Sequence, residues 1–228
     1  MLARQRVRSG GLDRPILPGD NLALSLFPVT VNSATGVTLT VEQILAGYIK
    51  RTGAPVGGIT DTLPTADQIV DALDNAQGGG IASLQGMSIE FLYNNALGQT
   101  LTMAVPANSG MTIGTSFSAV STVAASKVRS YLLRFLCDPV RSSVQTANGT
   151  SGQATLTFAS ELPAGTLVTG MSVYGTSIAA SATIIGITNG TDGIAGVTLS
   201  GNNTGTITNG SITFCPSIEL LSQGAMDV

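Results

Sequence analysis

Apolar residues recur along this chain with two spacings, and each spacing predicts a different element. In "VTLTVEQILAGYIKR", Val41, Ile44, Leu45, Tyr48 and Ile49 fall at i, i+3, i+4, i+7 and i+8, the continuous stripe of an amphipathic helix. Thr40 and Gln43 form a T-x-x-Q capping box at its start, in which the two side chains satisfy amides that a helix end leaves orphaned. Lys50 and Arg51 then fall at the negative end of the helix dipole, and Gly53 can take the left-handed terminating conformation. The same pattern recurs over "TADQIVDALDNA". Thr65 and Gln68 form a second box, Ala66, Ile69, Val70, Leu73 and Ala76 form the stripe, and "GGG" at 78–80 ends it. Asp67, Asp71 and Asp74 lie on the other, solvated side. Each large aliphatic is worth about 1.5–3 kcal/mol when buried, and a lone helix of this length is marginal in water. The helix must therefore lie on something.

Alternation with period two supplies it. "LALSLFPVTV" and "GVTLT" read as strands, as do "SIEFLY" (88–93) and "TLTMAV" (100–105), with "NALG" (95–98) as the turn between the last two. "KVRSYLLRFL" (127–136) is a long strand with Tyr131, Leu133 and Phe135 on one face. After "CDPVR" short β runs recur: "ATLTF", "TLVTGMSVYG", "ATIIGIT", "GVTLSG" and "SITF", separated by "NGT", "NGTDG", "GNNTG" and "TNG". Asn-Gly favours the primed turns that match strand twist. The expected fold is mainly β. An extended arm spans 1–20, and a β-sandwich or jelly-roll-like domain with two short helices packed on an antiparallel sheet spans 21–140. A small all-β domain, a sandwich or barrel with a short C-terminal tail, spans 141–228.

Composition changes this picture in one respect. Charged residues make up 10% of the 228 and hydrophobic ones 43%, against about 25% charged in ordinary soluble domains. From 142 to 218 the only charges are Glu161 and Asp192, and no lysine or arginine follows Arg141. So neutral a surface suits β structure with many turns, and suits a protein covered by neighbours. The net charge of −3 argues against a general nucleic-acid binder. Four of the ten basic residues, Arg4, Arg6, Arg8 and Arg14, stand in the first 14 positions. Fully extended, residues 1–20 reach about 65 Å, and the arginines can grip carboxylates or phosphates bidentately. A frayed terminus is the alternative. No apolar run has the length of a membrane span, and Pro15, Pro18, Gly19 and Asp20 interrupt what a signal peptide would need. A soluble protein made in a reducing cytoplasm is expected.

Chemistry is sparse. With no histidine, Ser/His/Asp and Cys/His arrangements are absent, and two isolated cysteines, Cys137 and Cys215, cannot build a zinc site. Both are expected to be small buried residues. No phosphate-binding or dinucleotide glycine motif precedes a helix. Asn148, Asn189, Asn202 and Asn209 lie in N-x-[ST] sequons and are better read as turn residues than glycan sites. No catalytic residue, cofactor or metal ligand is assigned, and no enzyme is expected.

Against that background, "GVTLTVEQILAGYIKR", "TDTLPTADQIVDAL", "GMSIEFLYNN" and "QTLTMAVPANSGMTIG" together resemble a module of bacteriophage and large-virus structural proteins. Leu45, Gly47 and Ile49 match its L-x-G-x-I part, Leu63 to Ala66 its LPTA helix start, and Gly86, Ser88, Phe91 and Asn94 its G-x-S-x-x-F strand. "GTLVTGMSVYGTSIAASATIIGIT" resembles a second β module of phage virion proteins. The resemblance implies a virion protein without catalytic residues. On this reading the chain is a capsid decoration, or cement, protein on the head exterior, a homotrimer that contacts the major capsid protein through the arm arginines Arg4, Arg6, Arg8 and Arg14. The alternative is a head or tail fibre or host-adsorption protein whose C-terminal unit touches a host surface glycan. Membrane and nucleic acid are not expected partners. A virion-associated depolymerase is the enzyme alternative.

Overall fold

The computed structural model describes residues 8–9, 12–13, 21–22, 27–77, 83–114, 121–138 and 140–227. The architecture is mainly β, with two helices among the described residues. The first part of the chain forms β1 (Arg8–Ser9), β2 (Leu12–Asp13), β3 (Asn21–Leu22), β4 (Phe27–Asn32), α1 (Val41–Leu45), β5 (Gly47–Thr52), β6 (Ile59–Thr62) and α2 (Ala66–Gln77). It continues with β7 (Ser88–Asn95), β8 (Leu101–Ala104), β9 (Met111–Ile113), β10 (Thr122–Val123) and β11 (Lys127–Phe135). Then come β12 (Ser143–Gly149), β13 (Thr155–Leu162), β14 (Ser172–Tyr174), β15 (Ile184–Asn189), β16 (Ile194–Leu199), β17 (Ile207–Cys215) and β18 (Ile218–Asp227).

Both capping boxes form. Thr40 N donates to Gln43 Oε1 (2.9 Å) and Gln43 N to Thr40 Oγ1 (3.3 Å), and Thr65 and Gln68 repeat the exchange at 2.9 and 3.2 Å. Helix α2 buries Ala66, Ile69, Val70 and Leu73 as its stripe predicts. Helix α1, however, stops after five residues. Gly47 has φ +79°, a conformation that favours glycine, and it turns the chain into β5. Tyr48 to Arg51, expected on the helix, instead pair in parallel with β4 on one side and β7 on the other. Alternation then carries Ile49 and Arg51 into the interior. Arg51 is no helix-end charge.

The large sheet runs β4-β5-β7-β11-β18-β9, with β3 also on β7. It is mixed where an antiparallel sheet was expected. The pairs β4/β5, β5/β7 and β18/β9 are parallel, and the centre β7/β11/β18 is antiparallel. Edge strand β4 carries Pro28, a position that tolerates a missing N–H. A second sheet has the order β10-β8-β6. The expected hairpin through "NALG" does not form, because β7 and β8 belong to different sheets. Buried Asn95 takes the chain across: its Nδ2 donates to the carbonyls of Gln99, Val123 and Ala124 at 2.8–3.0 Å, and its Oδ1 accepts from Leu97 N. Both sheets and both helices feed one sandwich-like core. Ile49, Phe91, Tyr93, Tyr131 and Leu133 come from the large sheet and Leu101, Met103 and Val123 from the small one. Phe91 stacks on Tyr131 at 5.4 Å.

Strands β12 to β17 form a separate six-stranded antiparallel sheet, β14-β17-β12-β13-β16-β15. Its end strands also meet. Val173 N donates to Ala182 O and Ile184 N to Met171 O, each at 2.9 Å, around an antiparallel bridge between Ser172 and Thr183. The sheet thereby closes into a small barrel, filled by residues that include Leu156, Met171, Ile184, Val197, Ile212 and Phe214. Two of the Asn-Gly pairs expected at turns lie within strands. Asn209 N donates to Asn148 Oδ1 (2.7 Å) where the β12/β17 register shifts, and Asn209 has φ +49°; the pairs build a bulge. The unit also ends earlier than 228. Strand β18 leaves the barrel and pairs with β11, Phe135 opposite Ile218 and Lys127 opposite Asp227, so the barrel is inserted between two neighbouring strands of the large sheet.

Candidate functional site

The arm arginines come first among the sequence candidates. Arg4, Arg6 and Arg14 lie outside the described residues. Arg8 lies in β1, whose backbone pairs with β2, Arg8 opposite Asp13.

The densest polar constellation lies in the core. Arg51 Nε donates to Asp61 Oδ2 at 2.7 Å and Arg51 Nη2 to Asp61 Oδ1 at 3.3 Å, joining the large sheet to the small one. The Tyr93 hydroxyl also donates to Asp61 Oδ2, and Val37 N to Asp61 Oδ1 (3.0 Å). The remaining guanidinium hydrogens reach the carbonyls of Val31, Ser33, Thr35 and Thr52 at 2.5–3.3 Å. Arg51, Asp61 and Tyr93 are fully buried. Burial first, then the hydrogen bond to Asp61, pushes the Tyr93 phenol far above its ordinary value, against the opposing pull of Arg51. The phenol stays neutral and donates. A fork of donors spent on backbone carbonyls, with no open face, is a fastener that ties the 31–35 turn to both sheets. Sequence reasoning placed Arg51 at a helix end. The signal that could have found it is the alternation Gly47, Ile49, Arg51 after a glycine.

The carboxylates of α2 do not converge on a ligand; Asp71 is partly exposed on the solvated side as expected, while Asp67 is turned to the backbone of Ser142. Asp67 Oδ1 accepts from Ser142 N (2.8 Å) and Asp71 pairs with Arg141 (3.1 Å), so the helix grips the chain as it enters the barrel. Glu90, exposed on β7, accepts from Ser130 Oγ across to β11 (2.7 Å). Among the described residues no three His, Cys, Asp or Glu side chains lie close enough together to hold a metal.

The outgoing passage is fastened to the incoming one. Leu136 N donates to Ser217 O (2.9 Å), Ser217 N to Cys137 Sγ (3.2 Å), and Ser172 Oγ bonds Ser217 Oγ (3.1 Å). Gly110, at φ +75°, lies so close to Pro216 that a Cβ there would come within 1.9 Å of its carbonyl oxygen. Cys137 and Cys215 are free thiols buried at this junction. Burial pushes both upward, so neither is a ready thiolate nucleophile.

The barrel offers a nearly neutral exterior. Glu161, one of its two charges, is spent on its own chain: its carboxylate accepts from Thr191 N (2.9 Å) and Asp192 N (2.5 Å), which lowers its pKa. Val144 and Ile185 are exposed on its strands, and Val56 and Ile113 on the first unit. No protein-family model matches the chain, and neither a curated protein nor a solved structure is significantly similar to it.

Proposed function

We propose that this chain is a structural protein of a bacteriophage particle. In this reading it is a decoration, or cement, protein of the head exterior, assembled as a homotrimer on the major capsid protein. The observation that carries the reading is the barrel's neutral exterior, held on a junction fastened at both chain passages. Covering such a surface avoids the desolvation of charge, which costs several kcal/mol per buried ion. Glu161 and Asp192 are the only charges from 142 to 218, so a shell or a second copy can lie against the barrel without meeting charges that must be paired. Cyclic closure is the usual solution for copies of one chain. In the same reading Arg4, Arg6, Arg8 and Arg14 tether the arm to carboxylates of the shell, adding affinity through a second point of attachment.

Three measurements test this. Light scattering on the full chain should give three times the monomer mass. Mass spectrometry of separated heads and tails should find the chain with heads, and removal of residues 1–20 should leave the oligomer intact while abolishing head binding. A monomer absent from particles would end the reading. Recovery with tails alone would replace it by the fibre or adsorption alternative.

A further inference from the structure

The barrel meets the first unit across a cleft of about 380 Å³, lined by Asn108 on one side and by Val173 to Thr176 and Ile178 to Ser181 on the other. That volume lies within the range of small-molecule sites, and boundaries between units are where such sites concentrate. Three observations separate this cleft from an incidental gap.

The first is backbone strain. Among the described residues five non-glycine residues have positive φ; two of them, Asn108 (+51°) and Ser181 (+58°), line the cleft, and Ser177 (+67°) stands in the loop that forms one wall. Such conformations persist where the surrounding structure over-determines them, and they gather at ligand sites. The second is that the walls are fixed. The 175–181 loop is held by Ile178 N to Gly175 O (3.2 Å), Ala182 N to Ala179 O (3.3 Å) and Thr204 N to Ser177 O (2.8 Å). Across the cleft, Ser109 Oγ holds the carbonyl of Pro106 (2.6 Å) and Cys215 Sγ reaches that of Asn108 (3.8 Å). A ligand would meet a preformed site and lose little to ordering it.

The third is the chemistry of the lining. It holds an amide, Asn108, hydroxyls on Thr176 and Ser181, the small apolar surface of Ala179 and Ala180, and the half-buried ring of Tyr174, with no charged side chain. Of the barrel's three aromatics, Phe158 and Phe214 pack against each other at 6.1 Å in its core. Tyr174 alone lines the cleft. An aromatic face beside neutral donors and acceptors matches a neutral saccharide, whose C–H face stacks on a ring while its hydroxyls exchange hydrogen bonds. A lining without cations has nothing to neutralise an anionic sugar.

We infer that this cleft binds one or two residues of a neutral glycan, with Tyr174 as the stacking platform and Asn108, Thr176 and Ser181 as its polar contacts. The inference does not rest on the capsid reading, and its test has a separate readout. Saturation-transfer NMR on the full chain would use glucose, galactose, mannose, rhamnose, N-acetylglucosamine and N-acetylgalactosamine as probes, with N-acetylneuraminic acid as the anionic control. At least one neutral sugar should show transfer with a millimolar Kd, and the anionic sugar none. Tyr174→Ala should weaken that Kd at least tenfold. Ala180→Arg, which fills the cleft from an exposed position without touching the barrel core, should do the same with an unchanged thermal transition. No transfer from any neutral sugar would overturn the inference, as would binding that Ala180→Arg leaves intact or an equal response to the anionic sugar.

Discussion

The first unit buries charge and the barrel buries none. Arg51, Asp61 and Arg129 are interior residues of the first unit, whereas the buried polar side chains of the barrel, Ser172 and Asn203, are neutral. The difference follows from how each sheet ends. The barrel closes on itself where β14 meets the start of β15, so its end strands satisfy one another there through backbone bonds. The first unit has two open sheets, parallel pairs and an irregular turn at 33–36. Ser33 N reaches Thr52 O (3.0 Å) and Ser33 Oγ bonds Thr35 within the turn, and the Arg51 fork ties the turn to the core by binding the carbonyls of Ser33 and Thr35. The barrel's interior fastener is the neutral Asn203, whose Nδ2 donates to the carbonyls of Thr150 and Thr155, and a unit closed without buried charge can carry an almost chargeless surface.

The largest effect should come from breaking the fastener. Asp61→Ala leaves a buried guanidinium without its carboxylate, a loss of about 3–5 kcal/mol. Hydrogen exchange read by mass spectrometry should show β4 to β7 losing protection while 143–215 keeps it. Replacing both partners, Arg51→Met with Asp61→Leu, removes the unpaired charge but strips the carbonyls of Ser33, Thr35 and Thr52, Val37 N and the Tyr93 hydroxyl of their partners, so it should recover only part of the loss. Equal loss of protection in the barrel would mean the two units unfold as one.

Alkali should separate them next. Burial raises the phenols of Tyr93 and Tyr131 well above their ordinary value near 10. A group whose folded value is raised contributes stability that is complete below its unfolded value and lost as pH climbs toward the folded one. Each phenol then withdraws about 1.4 kcal/mol per pH unit above pH 10. The first unit should melt before the barrel between pH 10 and 12, since the barrel's one tyrosine, Tyr174, lies outside its core. Tyr93→Phe should roughly halve the slope of the urea midpoint against pH. An unchanged slope would assign the alkaline loss elsewhere.

Gly47→Ala probes the element that sequence patterning misread. Placing a Cβ at φ +79° costs about 1–2 kcal/mol, so the midpoint of the first unit should fall by that amount and the barrel's should not move. The misreading has a physical source. Ile44, Leu45, Tyr48 and Ile49 fit a helix stripe, and Ile49 and Arg51 fit strand alternation equally well, so periodicity alone cannot find the switch at Gly47. Helix α2 was legible because its cap, its stripe and twelve continuous residues agree. Local patterns also identified β7 and β11 as strands and the barrel as a β unit. They could not show that β18 returns to β11, because Arg129 and Ser222, which bond at 2.8 Å, stand 93 residues apart. The sugar cleft was illegible for the same reason, with Asn108 and Ser181 brought together only by the fold. The arm arginines were visible in composition alone.

The smallest effect should be confined to one turn of the barrel. The exposed Glu161 carboxylate is held below its ordinary range by the amides of Asp192, Thr191 and Gly193. A depressed folded value contributes stability present above the unfolded value and lost as pH falls through the folded one, so acid should release this turn first. Amide protection at Thr191 and Asp192, taken relative to the intrinsic exchange rate at each pH, should fall below the usual carboxylate range, and Glu161→Gln should reproduce that loss of protection at neutral pH. Exchange at Val173 and Ile184, where the barrel closes through backbone bonds, should stay slow in both cases. If acid or Glu161→Gln loosened the closure as well, the barrel would depend on a charged fastener after all, and its contrast with the first unit would be one of degree.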